Sequence, residues 1–120
     1  MKRYCLVNEL KEDKVQDYVD IHEKSHTNKW IDHLQSLKDS GMKECIVYIH
    51  KNYSILLIEC EDLEESFTKL GKNEITQQWN EVVLPMFAGK PKFDGSEEQK
   101  PAKKIFDLNE QLEEGELRQD

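Results

Sequence analysis

Two apolar runs flank a polar dipeptide in residues 45–60, whose sequence is CIVYIHKNYSILLIEC. Runs of this composition predict two strands, Cys45–His50 and Tyr53–Cys60, joined by a tight hairpin turn at Lys51-Asn52. A sheet with one solvent-exposed face alternates apolar and polar residues. Here the residues that point to either face are apolar, so both faces of the sheet require a cover.

The segments on either side of this hairpin complete an order of strands and helices. Apolar residues recur every three to four positions in the helical stretches. Before the hairpin we predict a strand over Arg3–Leu10, a helix that opens at Lys11-Glu12-Asp13, a break over Ser25–Asn28 and a helical run from Lys29 to Ser40-Gly41. After it we predict helices beginning at residues 61–65 and spanning Glu74 to Leu84, an exposed loop over Gly89–Pro101 and a fourth strand over Lys103–Leu108.

The resulting βαββαβ order predicts an α+β, ferredoxin-like sandwich in which the helices cover one face of an antiparallel sheet. A second copy of the chain is the simplest cover for the other face, so we expect a homodimer of the dimeric α/β-barrel kind. With 120 residues, the chain has the length of one domain. We assign residues 1–108 to this domain and residues 109–120 to an acidic, disordered C-terminal tail or frayed helix.

The composition restricts the classes of partner that the chain can bind. A net charge of −8 argues against nucleic acid or an anionic membrane surface. No apolar stretch has the length of a membrane span. Cys5, Cys45 and Cys60 are irregularly spaced and form no CxxC motif, which favours reduced thiols and a cytoplasmic location.

A stripe of four side chains carries the chemistry: Tyr18, His22, His26 and Trp30 recur at intervals of four. Residues four apart share one helix face. Imidazoles exchange protons near neutral pH, and aromatic rings with polar tips suit a sugar. Together with Trp79, the stripe predicts acid–base chemistry on a carbohydrate if it faces a cavity.

Landmarks between Met1 and Leu108 resemble the L-rhamnose mutarotase family. They are the opening Met-Lys-Arg-Tyr-Cys-Leu, the Tyr18-x-x-x-His22 pair, the helix end Lys38-Asp39-Ser40-Gly41 and the segment Asn73-x-x-x-Gln77-Gln78-Trp79. The resemblance implies a dimeric α/β-barrel enzyme that interconverts the α and β anomers of a 6-deoxy-hexose such as L-rhamnose. It also implies a monosaccharide as the partner and no metal or organic cofactor.

Carried over by position, the resemblance implies that His22 and Tyr18 are catalytic and that Trp79 and Trp30 line the sugar pocket. His26 is a further candidate for substrate binding. The chain departs from the family in three ways. Family members have the tryptophan four residues after the catalytic histidine, a spacing that His26 and Trp30 have here and that His22 and Trp30 do not. In addition, Ile31 replaces a proline and Asn80 stands in place of a second tryptophan. Counting from the ungapped first strand selects His22 as the catalytic imidazole, whereas counting back from Trp30 selects His26.

Mutarotation suits these residue types because ring opening needs a proton removed from the anomeric hydroxyl and one delivered to the ring oxygen, both near neutral pH. His33 and His50 are interpreted as structural or exposed. Two other functions remain open: a non-catalytic dimeric α/β-barrel that binds a small metabolite, and a cofactor-free barrel oxygenase.

Overall fold

The computed structural model describes residues 1–117 of the chain. Its sheet has three antiparallel strands in the order β1-β3-β2. The strands are β1 (Lys2–Glu9), β2 (Glu44–His50) and β3 (Tyr53–Cys60). The helices are α1 (Val15–Glu23), α2 (Trp30–Asp39), α3 (Leu63–Gly71), α4 (Glu74–Val83) and α5 (Leu108–Leu117), with short 3-10 turns at Glu12–Lys14 and Leu84–Met86.

The β2–β3 hairpin forms as predicted, with His50 opposite Tyr53. Lys51 adopts a left-handed conformation with φ of 55°, which closes the two-residue turn. Asn52 ties the turn to the end of β1, because its carbonyl oxygen accepts from the Leu10 N–H at 2.7 Å. The hairpin therefore fixes the chain where β1 leads into α1.

Helix boundaries follow local signals. Gly41, with φ of 107°, ends α2 in a conformation that glycine adopts without steric penalty. The side chains of Asp62 and Asn73 cap α3 and α4 by accepting from the backbone N–H groups of Glu65 and Thr76. Such caps satisfy N–H groups that have no partner within the helix.

Two groups of buried side chains fill the space between the sheet and the helices. We call the first the α3 cluster; it consists of Leu6, Met42, Ile58, Cys60, Leu63, Phe67 and Leu70. We call the second the α4 cluster; it consists of Leu10, Tyr18, Trp79, Val83 and Phe87. The α3 cluster joins strand and helix residues, and Val47 and Ile49 of β2 pack against the α4 cluster. The helices therefore cover one face of the sheet, and the α+β sandwich is confirmed.

The opposite face of the sheet is apolar and open to solvent. Val7 is 50% exposed and Tyr48 is 55% exposed. Ile46, Tyr53 and Leu57 are also exposed. The sheet therefore has two apolar faces, as the sequence predicts, and only one of them is covered within residues 1–117.

The predicted fourth strand over Lys103–Leu108 is wrong. This segment contains no strand. Just before it, the Ala102 N–H donates a hydrogen bond to the Cys5 carbonyl of β1 at 2.7 Å. Ile105 is 86% exposed, so it finds no apolar surface to pack on. The apolar pattern favours a strand only where such a surface is present.

The segment predicted as a disordered tail or frayed helix contains α5, whose described side chains are exposed. Residues 118–120 of that prediction lie outside the described part of the chain. The radius of gyration is 16.5 Å, against about 14 Å for a compact chain of this length. No helix within residues 1–117 combines the length and the apolar character needed to cross a bilayer.

The loop after α4 is irregular, as predicted, but part of it packs against the body of the protein. Phe93 is partly buried and contacts both core clusters. Gly71 permits this packing, because a Cβ atom at that position would collide with the backbone of Asp94. The loop therefore closes one side of the space between the helices and the sheet.

Candidate active site

A cavity of about 400 Å³ lies between the inner face of the sheet and the helices. This volume is within the range of small-molecule sites. Its apolar lining comes from both core clusters. Its polar lining residues are Asn8, Tyr18, His22, Glu23, Ser25, His33, Ser54, Thr76 and Asn80. Because Glu23 is exposed, the cavity opens to solvent at the end of α1.

Tyr18 and His22 lie one turn apart on α1 and both line the cavity. Their ring centroids are 4.2 Å apart. The amphipathic pattern of α1 turns this pair towards the sheet, where Ser54 of β3 meets Tyr18. The two hydroxyl oxygens lie 2.8 Å apart. The phenol and imidazole that the sequence predicts as a pair therefore share one wall of one cavity.

The hydrogen bond of His22 to the backbone determines its tautomer. Its Nδ1 lies 2.7 Å from the carbonyl oxygen of Tyr18. A carbonyl only accepts, so Nδ1 carries the proton and donates it, leaving the lone pair on Nε2. Burial lowers the pKa of His22 below its usual value, partly offset by this hydrogen bond. At neutral pH the residue is therefore a neutral imidazole with a basic Nε2.

Tyr18 is held as a neutral phenol. Burial raises the pKa of its hydroxyl, and the hydrogen bond to Ser54 opposes that shift. A neutral phenol both donates and accepts hydrogen bonds. The site thus combines a base on His22 with a paired hydroxyl donor on Tyr18 and Ser54.

Trp79 is the centre of an aromatic group. His22 and Trp30 meet its indole at steep angles, with centroid distances of 5.1 and 5.2 Å. His33 stacks on the indole with centroids 4.7 Å apart and planes at 19°. One face of Trp79 is therefore covered by an imidazole, and Trp79 also lines the cavity.

Two of the predicted substrate-binding residues lie outside the cavity wall. Trp30 packs against Trp79, and the Lys29 ammonium lies 4.7 Å from the centroid of the Trp30 ring. His26 lies in the turn after α1 and is exposed. The helix break that the sequence predicts ends α1 at Glu23, so the stripe of four aromatic and imidazole side chains does not continue along one helix.

Seven polar wall residues were not among the predicted site residues: Asn8, Glu23, Ser25, His33, Ser54, Thr76 and Asn80. On α4, Thr76 lies three positions before Trp79 and four before Asn80, so helical spacing from Trp79 indicates Thr76 and, from Thr76, Asn80. Ser54 and His33 contact partners 36 and 43 positions away, and no local pattern signals such contacts. Cys45 of β2 also lines the cavity.

Two solved structures resemble this architecture. The crystal structure of L-rhamnose mutarotase FA22100 from Formosa agariphila is 22% identical, with a TM-score of 0.65; the match covers 90% of this chain and 99% of that one. Tetracenomycin F2 cyclase from Streptomyces glaucescens is 13% identical, with a TM-score of 0.55; the match covers 90% of this chain and 97% of that one. These likenesses define the class as an α+β, ferredoxin-like fold.

The family model described as L-rhamnose mutarotase matches residues 3–108. The chain belongs to the L-rhamnose mutarotase family, and the resemblance found in the sequence is confirmed. Membership makes the chain an isomerase of the aldose anomerase type. No curated protein sequence gives a significant match.

Proposed function

We propose that the chain interconverts the α and β anomers of L-rhamnose or a related 6-deoxy-hexose, with His22 and Tyr18 as the catalytic pair. The observation that carries this proposal is the Nδ1 hydrogen bond of His22, which leaves Nε2 basic on the wall of a cavity that it shares with Tyr18. Family membership supports the reaction class.

His22 moves the proton. Its Nε2 takes the proton of the anomeric hydroxyl as the bond between C1 and the ring oxygen breaks, and then gives it to the ring oxygen. The product is a neutral open-chain aldehyde. Rotation about the C1–C2 bond and the reverse steps close the ring on the other carbonyl face. A positioned acid–base group typically contributes about 100- to 10,000-fold.

Tyr18 orients the sugar. Ser54 and Tyr18 each have one hydroxyl proton, and their mutual hydrogen bond uses one of the two. The other proton is free to reach a sugar oxygen. Because its pKa is raised, Tyr18 stays protonated and acts as a hydrogen-bond donor while His22 shuttles the proton.

Trp79 contributes its indole to the apolar side of the sugar. Trp30 supports Trp79 from outside the cavity wall, where the two rings meet at 82°. His26, exposed in the following turn, contacts the sugar only if that turn closes over the cavity. These roles predict a larger loss of binding for Trp79→Ala than for Trp30→Ala, and a smaller one for His26→Ala.

Saturation-transfer NMR on the anomeric protons of L-rhamnose tests the proposal. Wild-type protein should speed the exchange between the anomers, and His22→Ala should lower the catalysed rate by about 100-fold or more. His50→Ala is the matched control, since His50 is exposed at the end of β2. His26→Ala tests the alternative imidazole.

Circular dichroism must show that each variant is folded. Full activity in His22→Ala would contradict the assignment, and loss of exchange in His26→Ala alone would move the catalytic role to His26. Sugar binding without exchange in the wild type would leave only the non-catalytic alternative.

We also propose that two copies associate through the open face of the sheet. Its centre carries exposed apolar residues, whereas charged Arg3, Glu9 and Glu44 lie at the ends of the strands on the same face. A continuous apolar patch of this kind is unusual for the surface of a monomer. Val7, Tyr48 and Leu57 come from three adjacent strands and form one patch. Packing two such sheets face to face would bury the patch in both copies.

Light scattering on the purified chain should give the mass of a dimer. Tyr48→Lys should give a monomer, because it places a charge in the buried interface. Val82→Lys is the control, since Val82 is an exposed apolar residue on α4 rather than on the sheet. A monomeric wild type at micromolar concentration would contradict the proposed dimer.

A further inference from the structure

One imidazole on the cavity wall has no part in the proposed mechanism. His33 lies in the first turn of α2 and is only 4% exposed. Its Nδ1 is 3.2 Å from Oγ1 of Thr76, and its ring stacks on Trp79. A buried histidine placed on a cavity wall requires a reason, because burial of a polar ring is unfavourable unless its nitrogens are bonded.

The second nitrogen of this ring is available to a ligand. Within residues 1–117, Nε2 of His33 has no hydrogen-bond partner. Every side-chain nitrogen or oxygen that is fully buried in the same residues does have a partner. Nε2 is therefore not sealed inside the protein. Since His33 lines the cavity, the cavity is the space that this nitrogen reaches.

Thr76 holds the ring in place. Its backbone N–H donates to the Asn73 side chain at 3.1 Å in the cap of α4, which anchors the backbone that carries the hydroxyl. If Nδ1 donates to Thr76, Nε2 is an acceptor; if the Thr76 hydroxyl donates to Nδ1, Nε2 is a donor. A ligand hydroxyl satisfies either tautomer, because it both donates and accepts.

The surroundings select an uncharged ligand group. Burial and the nearby His22 lower the pKa of His33 to about 4, so the imidazole is neutral at pH 7. Both imidazoles contact the indole of Trp79, His22 at a steep angle and His33 face to face. A ligand beside Trp79 therefore meets two neutral imidazoles at different points.

We propose that His33, positioned by Thr76, binds a hydroxyl of the sugar other than the anomeric one through Nε2. This inference rests on the proposed function. It adds a residue that binds and orients the substrate and does not transfer the proton. His22 would hold the reacting hydroxyl, and His33 would set the orientation of the ring against Trp79.

The test compares His33→Leu with His33→Gln in the anomer-exchange assay, measured over a range of L-rhamnose concentrations. Loss of one hydrogen bond should raise KM about tenfold in His33→Leu, with kcat within about threefold of wild type. His33→Gln keeps a terminal amide and should restore most of the affinity. The pH dependence of kcat should stay unchanged, because His33 does not transfer the proton.

Thr76→Val provides a second variant that does not depend on replacing the ring. It removes the hydroxyl that holds Nδ1 while keeping the side-chain volume, and it should also raise KM with little change in kcat. Thermal unfolding of each variant shows whether the fold is retained. Deoxy analogues of the sugar then identify the hydroxyl that His33 binds. Wild type should bind the analogue that lacks this hydroxyl about tenfold more weakly than it binds L-rhamnose. His33→Leu should bind that analogue and L-rhamnose equally well.

Two outcomes would overturn the proposal, and they are distinct. If wild type exchanges the anomers while folded His33→Leu and Thr76→Val keep the wild-type KM, the role of His33 is wrong and the proposed function stands. If wild type does not exchange the anomers at all, the proposed function fails and this inference fails with it.

Discussion

The two core clusters sit on the same face of the same sheet but are built from different chemistry. The α3 cluster contains no side chain that titrates near neutral pH. The α4 cluster contains Tyr18 and packs against His22 and His33 through Trp79. Buried polar groups cost folding free energy unless they are paired. The apolar α3 cluster is therefore better suited to stabilise the fold, and the α4 cluster is better suited to bind a ligand.

The difference shows how a small domain divides its interior. Leu63, Phe67 and Leu70 of α3 are buried and stabilise the fold, and Phe67 and Leu70 also form part of the apolar wall of the cavity. The α4 cluster places polar groups where burial shifts their pKa values, a common property of functional sites.

Leu63→Ala should cost the most stability. Removing a fully buried leucine side chain destabilises a protein by about 3 kcal/mol, and Leu63 is buried in the α3 cluster without lining the cavity. Urea unfolding should show this loss, whereas anomer exchange well below the melting temperature should be unchanged. Leu112→Ala, on exposed α5, is the control. Loss of exchange in folded Leu63→Ala would show that the clusters are not separable.

Acid should destabilise the α4 cluster. The folded pKa of His33 is about 4 and that of His22 is also lowered, against about 6.5 in an unfolded chain. Between these values the unfolded state binds more protons, so stability is complete above pH 6.5 and falls as pH decreases towards about 4. For His33 the loss should be about 2 kcal/mol, after allowance for solvent in the cavity.

Urea unfolding of wild type and His33→Gln at several pH values measures this effect, since carboxylates contribute equally to both proteins. The stability of wild type minus that of His33→Gln should increase as the pH rises from about 4 to about 6.5 and stay constant above 6.5. A value that decreases with rising pH would mean that His33 is charged in the folded state.

A pair of buried serines separates stability from function. Ser54 bonds the Tyr18 hydroxyl at 2.8 Å beside the α4 cluster, and Ser66 donates to the Ser40 carbonyl at 2.9 Å beside the α3 cluster. Replacing either by alanine leaves a buried partner unpaired and should cost about 1.5 kcal/mol. Only Ser54→Ala should also slow anomer exchange, because Tyr18 loses its orientation. Equal kinetic effects would contradict the assignment of Tyr18.

The two helix caps give the smallest effect. Asp62→Ala and Asn73→Ala should each cost about 1 kcal/mol, because each side chain caps one helix. Asn73→Ala should also raise KM, since it loosens the turn that holds Thr76. An unchanged KM would indicate that the rest of α4 holds Thr76 without its cap.

Most of the fold could be predicted from local patterns. The hairpin was predicted from apolar runs around Lys51-Asn52, and the helix ends from Gly41 and the acidic first turn of α3. The strand over Lys103–Leu108 was wrong because its short apolar pattern lacks a surface to pack on, while Lys104 instead pairs with Asp107 and Glu110 at the start of α5. A strand depends on a neighbour that the pattern itself does not contain.

The site was only partly predictable for the same reason. Tyr18 and His22 are four residues apart on one helix, so spacing alone pairs them, and the geometry places both on the cavity wall. His33 was interpreted as structural or exposed, because its partner Thr76 is 43 positions away.

The sequence by itself determined the order of the three strands and of the first four helices, the two apolar faces of the sheet and the phenol–imidazole pair on α1, because each depends on neighbours within a few residues. Only the tertiary structure decided that His33 covers a face of Trp79 and that Ser54 meets Tyr18. Proton positions and pKa values depend on distances of a few ångströms between groups, and packing sets those distances when the groups are far apart in the chain.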